Sequence, residues 1–483
     1  MSEATRMVMG LLVETVKYVN IGTNLGLLYM LWALISGQFL PSRGAVIPAL
    51  SRIGLNEKAV RRGWRALAKG GWKIGELLVN WEKCVMGSGC YAVRSHGGYV
   101  AVPADLTAFY RPRLKNCPTK HYDHRAGKAL PAIVLGIMGR VGQVGARRFL
   151  LPLSIERMPS DTTNENDLMQ KQIEIFVLIR ELTDALVADG GYKLIEILKK
   201  KIPFVLKVAL NFKARRMHPP EYPGRGPRTG RRCEEVRPLS RKYKDNTILG
   251  TPSDRQCCLK DHEGNLVQFD IWDNLVHTDM DKDPDAQPFS VLVIRHPKYK
   301  DPLVLAYYLP PINTPLDSTS PSGHHTSSHA TQTKVAPPTF SDETPEYQAY
   351  PRFNPIDPAH VYALYQDRWP VEHPPLAAKS LLGAERSFVH DPECCQRLPE
   401  LALLAGSIIT FAAALLPPIP TGFWDRLPQS TPGRLRRHFE GQPFPQHFPL
   451  PLEITQKSAH TSHLQTGFNQ WLQAKYYEHL PGP

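Results

Sequence analysis

The order in which the hydrophobic period changes between residues 99 and 210 constrains this chain more than any other feature. Strand-type runs fall at 99–107, 129–138 and 148–155. Residues 166–182 then repeat apolar side chains at helical spacing through Met169, Ile173, Phe176, Val177, Ile179 and Leu182. Residues 185–188 form a short, wholly apolar run that stops at Asp189 and predicts a buried strand. A helix over 192–201 and a strand over 204–210 follow. Strand, strand, strand, helix, strand, helix, strand is an α/β order.

Helical texture precedes this block, over residues 1–86. Residues 43–52 and 57–69 flank a turn at Gly54-Leu55-Asn56, with Asn56 placed as an N-cap and Gly70-Gly71 as a stop. Val60, Trp64, Leu67 and Ala68 make an apolar stripe on the second helix, while Lys58, Arg61, Arg62, Arg65 and Lys69 fill the remainder. A basic second helix after a short turn is the arrangement of a helix-turn-helix, in which Arg61, Arg62 and Arg65 would meet DNA. A solvated amphipathic helix is the alternative. Gly63 counts slightly against either helix.

After the α/β block, residues 213–244 are rich in Arg, Pro and Gly, and 248–309 are rich in strand-type runs. Residues 317–347 are low in complexity and include His324, His325 and His329, which read as loop residues. Helical texture returns over 358–416 and gives way to a Pro-rich tail. Domain expectations are therefore a helical region at 1–96, an α/β part at 97–212, a basic loop and β-rich stretch at 213–357, a helical part at 358–438, and a tail at 439–483.

Charge narrows the partners. The 483 residues carry 58 Lys and Arg against 45 Asp and Glu, a net charge of +13, which favours a polyanion. Clusters at Arg215-Arg216, Arg231-Arg232 and 434–437 suit a phosphate backbone. Eight cysteines without a CxxC pair argue against a zinc knuckle or a secreted disulfide framework. The apolar run 401–416 falls short of the ~20 residues of a membrane span, and the polar interruptions of 21–39 disfavour another. No signal peptide is evident. The expectation is a cytoplasmic protein, nucleoid-associated when bound to DNA, with no membrane partner. Asp279, Asp281 and Asp283 begin like a calcium loop, but Pro284 and Ser290 stand where Gly and Glu are needed.

Three carboxylates carry the chemistry. Asp105 ends the first predicted strand in Asp105-Leu106-Thr107, and Asp189 follows the fourth in Asp189-Gly190-Gly191-Tyr192. Glu372 lies in the run from Tyr365 to Lys379, with Tyr365, Arg368, Glu372 and Lys379 spaced Y-x2-R-x3-E-x6-K. On one helix these four would share a narrow face. Pro370, Pro374 and Pro375 interrupt that helix, so Lys379 is the least secure of the four.

These motifs resemble the insertion-sequence DDE transposases that bear a Y-R-E-K signature on the glutamate helix. The resemblance spans residues 97–438. It implies a ribonuclease-H-like catalytic domain whose first and fourth strands are neighbours, interrupted by a β-rich insertion and preceded by the helical DNA-binding region. It implies that Asp105, Asp189 and Glu372 are catalytic and bind two Mg²⁺ (or Mn²⁺) ions. Tyr365, Arg368 and Lys379 would contact DNA. The partners implied are double-stranded DNA (terminal inverted repeats and target) and a second copy, as a homodimer in the DNA complex. A catalytically inactive, transposase-derived DNA-binding protein is the alternative.

Overall fold

The computed structural model describes residues 1–456 apart from 116, 160–161, 163, 218–233, 245, 262, 281–282, 284, 313–355 and 421–428. The Arg231-Arg232 pair, Asp281, the segment 317–347 with its three histidines, and the end of the tail therefore lie outside the described residues.

The α/β block begins after five helices: α1 (Glu3–Val16), α2 (Asn24–Ile35), α3 (Val46–Arg52), α4 (Glu57–Lys69) and α5 (Ile74–Gly87). Three short or long strands open it, β1 (Tyr91–Val93), β2 (Val100–Tyr110) and β3 (Lys120–Asp123). Next come β4 (Lys128–Val144), β5 (Arg147–Arg157), α6 (Glu165–Ile179), β6 (Asp184–Ala188), α7 (Leu194–Lys199) and β7 (Phe204–Lys207). β2, β4 and β5 form an antiparallel meander. β6 then lies parallel to β2, and β7 parallel to β6. The first and fourth strands of the predicted series, β2 and β6, are thus direct neighbours.

β6 is apolar over 185–188 because it is buried on both sides, as expected of a parallel strand between two layers, and its buried first residue, Asp184, is paired with Arg140. Ala185 and Val187 face one core, and Leu186 and Ala188 face the other. The second core is closed by α6, through Ile173 and Phe176, and by α7, through Ile197 and Leu198. The first is closed by the N-terminal helices and the later helices together.

The β-rich stretch continues this sheet. Its strands include β8 (Ala214–Arg216), β9 (Glu235–Val236), the separate β10–β11 hairpin (Arg241–Tyr243 and Asn246–Ile248), β12 (Arg255–Lys260), β13 (Leu266–Val276), β14 (Phe289–Arg295) and β15 (Leu303–Tyr308). β15 pairs antiparallel with β7, so the order β4-β2-β6-β7-β15-β14-β13 runs unbroken. Arg216, taken from sequence as part of a DNA-facing cluster, forks onto Asp254 with both nitrogens at 2.6 Å.

The helical part comprises α8 (Pro358–Gln366), α9 (His373–Leu376), α10 (Pro392–Leu415), α11 (Pro432–Phe439) and α12 (Leu452–Thr455). α10 starts well before residue 401, so by length and composition it is long and apolar enough to cross a membrane. Its apolar window is 83% buried within the fold, where it packs on α1, α2, α4 and α5 and on β4 and β5. It is the central core helix. The chain after α11 returns to the N-terminal helices: the Phe444 amide donates to Ile53 O at 2.7 Å and Asn24 Nδ2 to Glu453 O at 2.6 Å. Phe439, Phe444 and Ile454 are buried there.

α4 forms where Asn56 was expected to cap it, accepting a hydrogen bond from the Ala59 amide at 3.0 Å. Gly63 has a packing reason. A Cβ there would meet Leu50 of α3 at 2.9 Å, so glycine permits the close α3–α4 approach that outweighs its helix cost.

Candidate active site

The pairing of β2 with β6 brings the two aspartates together. The last paired residues are Pro103 and Val187; Asp105 lies two residues further along β2, and Asp189 immediately follows the end of β6. The two carboxylates therefore lie at the same end of the paired strands, within electrostatic reach of each other. Asp105 lies within β2 rather than at its end, because the strand runs on to Tyr110. Side chains alternate along a strand, so Asp105 shares the face of Ala101 and Phe109, the one closed by the N-terminal and later helices. α8 packs over β2, β6 and β7 on that face.

Each aspartate is fixed locally. The Leu106 amide donates to Asp105 Oδ1 at 2.8 Å, and the Gly191 amide donates to Asp189 Oδ1 at 3.1 Å. Beneath them, fully buried Gln172 of α6 accepts from the Tyr192 hydroxyl at 2.7 Å and donates to Ile137 O of β4 at 3.1 Å. This bridge ties the turn after Asp189 to the strand beside Asp105. Gln172 and the Tyr192 hydroxyl were missed from sequence. Their signal was a polar residue one position before Ile173 on the apolar side of α6.

The glutamate segment departs from one regular α-helix, as its prolines require. α8 ends at Gln366, a 3₁₀ turn covers Trp369–Glu372, α9 covers His373–Leu376, and a π turn covers Ala377–Leu381. Pro370 and Pro374 sit in the first positions of their turns, where no amide donor is lost. A 3₁₀ turn winds more tightly than an α-helix and a π turn more loosely, so their rotations oppose each other. Lys379 lies on the Asp105 side of β2, with Nζ 5.3 Å from the centre of the Phe109 ring.

All four signature residues therefore gather near Asp105. Arg368 Nη2 donates to Glu372 Oε1 at 2.6 Å, and its Nη1 lies 3.6 Å from Asp105 Oδ2. Tyr365 interacts with Arg368, and burial pushes its phenol up to about 12. Burial lowers the Lys379 ammonium, against the pull of Glu385 and Asp105. Asp105 is pushed up to about 6, first by burial and then by the charges of Asp189 and Glu372, with Leu106 and Arg368 opposing. Among the described residues no three His, Cys, Asp or Glu side chains already form a closed ligand cluster. The carboxylates share one electrostatic neighbourhood, and Arg368 stands between two of them.

Asp367, also missed from sequence, anchors this segment. Its carboxylate is 1% exposed and meets Arg94 Nε at 3.1 Å, His96 Nε2 at 2.9 Å and Arg148 Nη1 at 3.4 Å. Arg61, Arg62 and Arg65 belong to another surface. They are exposed on α4, which packs on α2, α3 and α10, and Arg61 pairs with Glu57.

No protein-family model matches this chain, and no curated protein matches it either.

Proposed function

We propose that this chain is a DNA transposase that cuts and joins phosphodiesters with Asp105, Asp189 and Glu372. The observation that carries the reading is the parallel pairing of β2 with β6, which brings Asp105 and Asp189 to one end of the pair while Arg368 ties Glu372 to the same place. The strand order β5-β4-β2-β6-β7, three antiparallel and then two parallel, supports a ribonuclease-H-like core. The β-rich stretch would then be an insertion that has grown onto the edge at β7.

The donor set suits Mg²⁺ or Mn²⁺, since three carboxylates supply hard oxygen ligands and their mutual repulsion favours a bound cation. Two such ions, when bound, would polarise the scissile phosphate and activate water or a 3′-hydroxyl. Asp105 and Asp189 would be held rigid by the sheet, and Glu372 would complete the set from the helical side. Tyr365, Arg368 and Lys379 would hold phosphate oxygens, the guanidinium by a forked contact. Double-stranded DNA is the substrate class, consistent with the +13 charge. Two copies would pair the element ends.

The direct test uses the DNA flanking the coding region as a labelled substrate with Mg²⁺. Glu372→Gln is expected to reduce strand cleavage to background and leave end binding within about twofold, because it removes a ligand charge and little DNA contact. Undiminished cleavage rejects Glu372 as a ligand. Binding without cleavage by the unaltered chain would favour a transposase-derived DNA-binding protein. Replacing Arg61, Arg62 and Arg65 by Gln is expected to weaken binding about tenfold and lower its salt dependence by about one counterion per arginine. Unchanged binding and salt slope would make α4 an ordinary solvated face.

A further inference from the structure

We propose that Arg368 is an internal counter-cation that keeps divalent metal from Asp105 and Glu372 until a DNA phosphate draws it away. The inference rests on the reading of these carboxylates as a metal site, and adds a regulation to it. Arg368 contacts both carboxylates at once, at 2.6 Å and 3.6 Å. Its side chain is 15% exposed, against 33% for Asp105 and 37% for Glu372, so most of its surface is taken up by the protein rather than by solvent. The Glu372 lone pair engaged by Nη2–H is one a hard cation needs, and at Asp105 the guanidinium charge stands where a cation would. Its positive charge also repels any second cation brought within a few ångströms.

A phosphate competes for the same guanidinium. The planar fork of five donors matches phosphate oxygens as well as it matches carboxylates. The backbone beside it need not move, because Asp367 is locked by Arg94, His96 and Arg148. A rotation of the Arg368 side chain toward bound DNA therefore exchanges partners without unfolding the turn. Glu372 and Asp105 then lose their counter-charge together, and their affinity for a divalent ion rises. The order imposed is DNA first and metal second.

The test is a Mn²⁺ titration of the full chain, followed by the magnetic resonance signal of free aqueous Mn²⁺. Without DNA, Arg368→Ala is expected to bind Mn²⁺ about tenfold or more tightly than the unaltered chain, from the loss of a charged hydrogen bond. Arg368→Lys, which keeps the charge and loses the fork, is expected to fall between them. Adding Asp105→Asn to Arg368→Ala should remove the gain. A short random-sequence duplex, with its own Mn²⁺ binding subtracted, should tighten Mn²⁺ binding by the unaltered chain and leave Arg368→Ala unaffected. Asp105-dependent Mn²⁺ binding that Arg368→Ala and Arg368→Lys leave unchanged or weaken, in variants with unaltered circular dichroism, overturns the gate and spares the metal site. Absence of any Asp105-dependent Mn²⁺ binding overturns both.

Discussion

Asp105→Asn is expected to make the folded chain more stable at pH 7 while removing strand cleavage. Burial and the neighbouring charges of Asp189 and Glu372 hold Asp105 at about 6, above the ordinary carboxylate value of 3.8. The native state therefore binds the proton more tightly than the unfolded chain does. That contribution to stability is complete below the unfolded value and is lost as pH rises through about 6. At neutral pH the charged carboxylate is a liability in the fold. The Asp105 side chain is a third exposed, so solvent screening reduces the gain from its removal to ~1–2 kcal/mol. Arg368 is not orphaned by the change, since Glu372 still accepts from it at 2.6 Å.

The same substitution deletes a ligand charge on which the proposed chemistry depends. A loss of several kcal/mol in transition-state stabilisation corresponds to a rate reduction on the order of a thousandfold. Urea unfolding at pH 5 and pH 8, together with end cleavage, separates these effects. The stability difference should be largest at pH 8 and shrink at pH 5, where the unaltered chain is already largely protonated at this site. A variant less stable at both values would make Asp105 a structural ion-pair partner of Arg368, contrary to the pair's proposed use.

The strands and helices between residues 99 and 210 were legible because burial on two faces leaves a strong periodic record. Both flanks of β6 are covered, which is why 185–188 reads as an unbroken apolar run. The aspartates were legible from their place beside such runs. What the sequence hid depends on contacts between distant segments. Pairing of β15 with β7 joins residues 303–308 to 204–207, and no local pattern records which edge a later strand will choose. The β-rich stretch therefore read as a separate part. Likewise, α10 read as too short because its first turns carry Glu393, Arg397 and Glu400. These polar residues are satisfied by Arg157, which meets Glu393 at 2.9 Å and Glu400 at 2.5 Å, and by the Arg397–Glu393 pair at 2.7 Å. Pro370 and Pro374 correctly signalled a broken α-helix. The 3₁₀ and π turns that take its place had no such signal.

Asp367→Ala is expected to cause the largest loss of stability among single changes around the site, ~3 kcal/mol. The carboxylate is almost fully enclosed, and its removal leaves Arg94, His96 and Arg148 facing one another with no anion between them. Burial alone would raise the pKa of Asp367. The His96 hydrogen bond and the Arg94 charge outweigh it and hold the group below the usual carboxylate range. Its contribution is therefore present above the unfolded value and lost as pH falls below it, the opposite sense to Asp105. Asp367→Asn, which retains the shape and some hydrogen bonding, should lose less than Asp367→Ala at pH 7. The difference between the unaltered chain and Asp367→Asn should narrow as pH is taken below 4, as the unaltered carboxylate itself protonates. Because Asp367 precedes Arg368 and fixes the turn that leads to Glu372, cleavage should fall in Asp367→Asn even at temperatures where it remains folded. Unfolding curves for Asp367→Ala that overlay those of the unaltered chain at pH 7 would mean that its three partner side chains do not depend on this carboxylate. The turn would then need another anchor.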